Sequence, residues 1–250
     1  MHVRWLGLAA VLLVAGCAQA PAGPVVIPTV SGQAPATTTV AEWLEAGGDT
    51  SAGWLAIRAS RLIVYADGTA IADANRTLAL TRDELTDLVG RLRQGLAGLD
   101  AHVKSRGAEL VMDATTTVLR VRLADGGVQS VDAYALSLDT DLDYPGRLVA
   151  ATNLMKEMRQ RVADHGTAYT ANAVRVVAEL GGGGTSVPEW PATVPVPSGA
   201  SGVYVLDRTE AAPVVAQWPT GSTDGYAWPE ARLPDGTIVA VAWRYLLPSE

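Results

Sequence analysis

The residues of this chain best suited to chemistry are few and scattered. One cysteine, Cys17, excludes an internal disulfide and any multi-cysteine zinc site, and three histidines are thin for a histidine-based metal centre. The nearest approach to a nucleophile elbow is Gly199-Ala200-Ser201-Gly202-Val203. It lacks the final glycine of G-x-S-x-G and follows a prolyl stretch rather than a strand, so the context that motif needs is missing. His102 and His165 fall where helices are expected to end, and histidine there serves carbonyls and the helix dipole. Because triads are not local in sequence, both also remain available to a hydrolase built from dispersed residues. Asp139-Thr140-Asp141-Leu142-Asp143 starts like a calcium loop, but Tyr144 and Ala150 stand where an EF-hand needs glycine and a bidentate carboxylate. The stretch reads instead as a polar approach to a helix. Gly181 to Gly184 lacks the lysine of a phosphate loop and the spacing of a dinucleotide site, and reads as a joint. No catalytic residue, metal or cofactor is assigned.

The aromatics are more suggestive. Trp190-Pro191, Trp218-Pro219 and Trp228-Pro229 repeat one dipeptide, with Tyr226 close by. Aromatic faces beside rigid proline backbone form flat platforms for sugars or extended peptides. Trp190, Trp218, Tyr226 and Trp228 are therefore the candidate ligand-binding residues. The competing reading is ordinary core filling, since the chain has no phenylalanine to do it.

The cysteine has a context of its own. Met1-His2-Val3-Arg4 leads into an apolar run from Trp5 to Ala15, about half the roughly 20 residues a spanning helix needs. Val14-Ala15-Gly16-Cys17 follows and resembles the lipobox of bacterial lipoproteins. That resemblance implies cleavage before Cys17, acylation of its thiol, and attachment to the outer face of the cell membrane. Residues 1–16 are then a signal peptide. From Ala18 to Thr39 there is no charge, so residues 17–53 are expected to be a flexible stalk, with a helical turn over Val40–Ala46 docking on the body. A net charge of −7 and a pI near 5.0 argue against nucleic acid as a partner. Lysine occurs only at Lys104 and Lys156, a bias typical of GC-rich coding sequence.

A chain of 250 residues that is 48% hydrophobic can bury a substantial core. Arg61 to Ala66, an Asp67-Gly68 turn and Thr69 to Asp73 predict a hairpin. Thr81 and Glu84 then form a capping-box pair ahead of Leu85, Leu88, Val89, Leu92, Leu96 and Leu99, the stripe of a buried helix face. The order recurs: strands over Thr117–Leu123 and Val128–Leu136 flank Asp125-Gly126, and a helix runs from about Pro145 to Ala163. A strand over Ala173–Leu180 closes the pattern. The fold expected for 54–180 is α+β: two ββα-like units in a mostly antiparallel sheet with both helices on one face. Residues 181–199 read as a Gly/Pro linker. Residues 200–250 read as a small β-rich segment, with strands over Gly202–Leu206, Val214–Trp218 and Thr237–Arg244.

Leu62-Ile63-Val64-Tyr65-Ala66-Asp67-Gly68, Leu80 through Leu99, Asp113 through Leu136 and Arg244-Tyr245-Leu246-Leu247-Pro248 together resemble a group of uncharacterised actinobacterial lipoproteins. The likeness implies a fold and an address, and carries over no activity and no functional residue. The expected function is a non-enzymatic, lipid-anchored envelope module. It would bind cell-wall polymer or another envelope protein. A hydrolase with dispersed residues and a structural lipoprotein are the alternatives.

Overall fold

In the computed structural model, residues 37–48, 51–105, 108–137, 143–183, 186–197, 201–218 and 228–250 are described. Cys17, Tyr226 and the Asp139–Leu142 stretch lie outside them. The fold is α+β, with a mixed sheet of eight strands, an antiparallel sheet of four, and four helices.

The chain enters through β1 (Thr39–Gly47), which corrects the expectation of a stalk and helical turn there. Ala41 and Trp43 alternate into the core, while Glu42 on the other face pairs with Arg120 at 2.9 Å. After the short α1 (Ala52–Ile57) come β2 (Leu62–Tyr65) and β3 (Thr69–Ala72), joined by the expected Asp67-Gly68 turn. Gly68 has φ of +90°, and a Cβ there would lie 2.7 Å from the Leu80 carbonyl, so both conformation and space require glycine. An unanticipated β4 (Arg76–Ala79) follows through a tight turn in which Asp73 and Ala74 both have φ of 50°. Asp73 is fixed there by Arg61 at 3.1 Å and Arg159 at 2.6 Å.

The capping box forms as expected at the start of α2 (Arg82–Leu96): the Glu84 amide donates to Thr81 Oγ1, and the Thr81 amide donates to Glu84. Next are β5 (His102–Val103), the hairpin β6 (Thr115–Arg122) and β7 (Val128–Tyr134), α3 (Gly146–His165) and β8 (Thr167–Ala168). The sheet order is β5-β7-β6-β1-β2-β3-β4-β8. β1 thus sits between the two hairpins and joins the repeated units into one sheet. Both long helices cover one face, where Leu88, Leu92, Leu96, Leu148, Met155 and Val162 meet Trp43, Leu62, Val64, Leu119 and Val121. At their crossing, a Cβ on Gly95 would approach Ala151 Cβ to 3.0 Å; this glycine, costly within a helix, permits close contact.

β9 (Ala173–Leu180) does not close that sheet. It lies inside the second one, whose order is β10-β9-β12-β11, with β10 (Ser201–Asp207), β11 (Glu230–Arg232) and β12 (Ile238–Tyr245). Strand alternation identifies an element but not its partner, and β9 finds its own in chain that follows it. The expected strand at 214–218 is instead the end of α4 (Arg208–Gln217). Asp207 and Glu210 form a second capping box that starts this helix, and Ala211 and Val214 are buried beneath it. Pro213 is accommodated inside α4 although it removes one intrahelical donor.

Candidate binding site at the joint of the sheets

Helix α1 docks on the second sheet, and Arg58 at its C-cap ties it to β1 of the first. Ser51 caps it, donating its hydroxyl to Glu179 on β9, and the Gly53 amide donates to the same carboxylate. At its far end the Ile57 and Ala56 carbonyls accept from Arg244 on β12 and Arg175 on β9. A six-residue helix is too short to hold itself, so these ties fix it.

That placement divides the candidate aromatics. Trp190 and Trp218 are 5% and 7% exposed, with ring centres 6.2 Å apart, inside the core of the second sheet. Trp190 donates its indole N–H to the Val194 carbonyl, and the Trp218 carbonyl accepts from the Trp243 indole. Neither offers a face to a ligand, which corrects the platform reading for both. With no phenylalanine in the chain, tryptophan fills the core. Trp228 behaves differently. It is half-buried and packs on Trp54 of α1, ring centres 6.3 Å apart, and Arg58 lies 5.7 Å above the Trp54 ring. No Trp-Pro dipeptide marks Trp54 in the sequence.

A cleft of about 320 Å³ is lined by β1, α1 with the residues after it, and the segment after β12; Arg58 joins it to the pair, whereas neither Trp54 nor Trp228 is part of its lining. Its apolar wall is Leu44, Leu55 and Leu247, and its polar groups are Glu42, Glu45, Arg58, Ser60, Ser249 and Glu250. Ser60 donates to Glu42 at 2.6 Å and Thr115 to Glu45 at 2.7 Å, while Arg58 donates to the carbonyls of Glu45 and Gly47. The polar lining is therefore held in place before any ligand arrives, which lowers the cost of binding.

Behind the cleft, burial raises the Tyr65 phenol, whose hydroxyl lies 3.2 Å from Ser249 Oγ. Burial also pushes Tyr169 up to about 12, helped by Tyr65 and Glu250, and its hydroxyl donates to the Leu246 carbonyl. Burial opposes ionisation of Glu250 too, but hydrogen bonds from Arg244 and the Leu247 amide outweigh it and hold the carboxyl below its usual range. For Tyr169 the folded value exceeds the unfolded one, so its stabilising share is complete below pH 10 and is lost as pH rises towards 12. Urea midpoints measured across that range should fall, and less steeply for Tyr169→Phe. An identical slope in both proteins would contradict this environment for Tyr169.

His102 opens β5 rather than ending a helix, and its Nδ1 lies 2.6 Å from Asp132 Oδ2. Both side chains are on an open part of the first sheet, away from the cleft lining. His165 is exposed at the last position of α3. Among the described residues no group of three or more His, Cys, Asp and Glu side chains is placed to hold a metal, and no helix is long and apolar enough to cross a membrane. No protein-family model, curated protein or solved structure matches this chain.

Proposed function

We propose that this chain is an extracytoplasmic lipoprotein, attached to the outer face of the cell membrane through acylated Cys17, whose body is a non-enzymatic binding module for cell-wall polymer. The address rests on the lipobox Val14-Ala15-Gly16-Cys17 and the short apolar run before it. The observation that carries the binding role is the half-buried Trp54–Trp228 pair linked through Arg58, which lies over the Trp54 ring and lines a cleft of preset carboxylate and hydroxyl groups. Aromatic faces next to fixed polar groups are the surface that carbohydrate and extended peptide use.

The test is co-sedimentation of the non-acylated chain with purified wall from a high-GC Gram-positive bacterium. Saturable pelleting is expected, weakened about tenfold or more by Trp54→Ala or Trp228→Ala, as suits a central aromatic contact. Pelleting unchanged in both variants, with the fold intact by circular dichroism, contradicts the site.

The His102–Asp132 pair favours a second reading, an extracytoplasmic hydrolase. A carboxylate on Nδ1 orients an imidazole as a general base. This reading requires turnover of activated esters that His102→Ala abolishes; a turnover-free protein excludes it for that substrate class.

A further inference from the structure

The register of the second sheet places Arg244 of β12 directly opposite Arg175 of β9. Like charges in that position repel, and Arg244 is 3% exposed, so water does little to screen it. Among the described residues, the Glu250 carboxylate pairs with both. Arg244 donates through Nη1 to Glu250 Oε2 and through Nη2 to Oε1, at 2.5 and 2.6 Å, a two-pronged fork. Arg175 Nη1 lies 3.2 Å from Oε1, and the Leu247 amide donates to Oε2 at 2.9 Å.

The fit is good for Arg244 and incomplete for Arg175. Among the described residues, Arg175 Nε is buried with no hydrogen-bond partner. The carboxylate arrives on an exposed piece of chain, although its own side chain is only 24% exposed: Pro248 and Ser249 are exposed, whereas Leu247 is buried among Ile63, Tyr65 and Ile71. Glu250 and Ser249 line the cleft, and the arginine pair, outside the lining, is reached from it through the Glu250 carboxylate. Movement of residues 248–250 would leave the Leu247 amide in place and open both guanidinium groups to the cleft.

We propose that Arg175, Arg244 and the Leu247 amide form a carboxylate-binding site, that Glu250 fills it as an internal stand-in, and that a ligand carboxylate entering through the cleft takes its place. The inference rests on the cleft being the binding site and adds the chemical class of its ligand. A single negative charge suits the site better than a phosphate dianion, because Glu42 and Glu45 stand along the approach. An internal competitor lowers the apparent affinity by the fraction of time the site is open.

The test uses the full chain in detergent, titrated with N-acetyl-alanyl-alanine, with its C-terminal amide and with inorganic phosphate. Glu250→Gln should bind the free carboxylate about tenfold more tightly than the unsubstituted chain, through removal of the competitor. The amide should bind at least about tenfold more weakly, and adding Arg175→Gln should reverse the gain. Equal affinity in the two proteins, equal binding of acid and amide, tighter binding of phosphate, or no saturable binding overturns the proposal. Should Glu250→Gln fail to fold, the unsubstituted chain still decides. The carboxylate, and not the amide, must speed hydrogen exchange at the Glu250 amide, which donates to the Leu247 carbonyl in the closed form. No difference overturns it. Wall pelleting that persists without carboxylate binding refutes this site alone, whereas loss of both refutes the cleft.

Discussion

Trp218→Ala is expected to destabilise the second sheet by about 3–5 kcal/mol, the usual range for removing a buried aromatic ring. The residue is 7% exposed, and its ring centre lies 6.2 Å from that of Trp190 in a core cluster that also holds Trp243. Its loss leaves a cavity in that cluster, whose members include Val214 and Leu206. Small domains have only about 5–15 kcal/mol in total, so much of the population would be unfolded at growth temperature. Near-ultraviolet circular dichroism during thermal unfolding reads this directly. Wall binding would then disappear with the fold, not before it. A Trp218→Ala protein with an unchanged midpoint and lost wall binding would reverse the assignment and restore this residue to a ligand face. Trp228→Ala, at a half-buried position, should keep the fold and lose the binding.

Arg244→Ala is the second large effect. Removing one partner of a fully buried pair costs about 3–5 kcal/mol, and the low end of that range is expected here because the Glu250 side chain left behind is 24% exposed and keeps a second cation. Here Glu250 would keep only Arg175 and the Leu247 amide, and the Ile57 carbonyl at the end of α1 would lose its donor. The effect should therefore extend beyond the second sheet to the packing of α1. Acid titration gives an independent readout. Glu250 has a folded value below its unfolded 4.5, so its stabilising share is complete above that pH and is lost as pH falls through the lowered folded value. Urea midpoints in Arg244→Ala should depend less on pH in that acidic window than those of the unsubstituted protein. A parallel dependence in both would show that Glu250 gains nothing from Arg244.

Much of the fold is legible in the sequence where its signals are local. The Asp67-Gly68 turn, the Thr81–Glu84 capping box and the Leu88, Leu92, Leu96 stripe each lie within a short stretch of chain, and each forms as read. β1 escapes because its order comes from β2 and β6, which follow it at a distance, while its flank is an uncharged tract resembling a linker. β4 escapes because its turn uses Asp73 and Ala74 at positive φ where glycine or asparagine is the usual signal. α4 is masked by Val214-Val215, a pair with strand character, and by Pro213.

The candidate site was legible only in part. Trp228 stands out by its dipeptide, but its partner Trp54 is brought to it by α1 docking across the second sheet. Arg175 and Arg244 look like two surface arginines until the register of β9 and β12 sets them opposite one another. Burial, which separates Trp228 from Trp190 and Trp218, depends on how both sheets pack and has no local signature.

Whether ligand meets this protein at the joint of its two sheets can be read by titrating the isotopically labelled, non-acylated chain with soluble wall fragments and following the tryptophan indole N–H resonances. The Trp54 and Trp228 signals are expected to shift and saturate together while those of Trp43, Trp190, Trp218 and Trp243 stay in place. Shifts at the buried tryptophans alone, or none at any ratio of fragment to protein, would contradict a site at that joint.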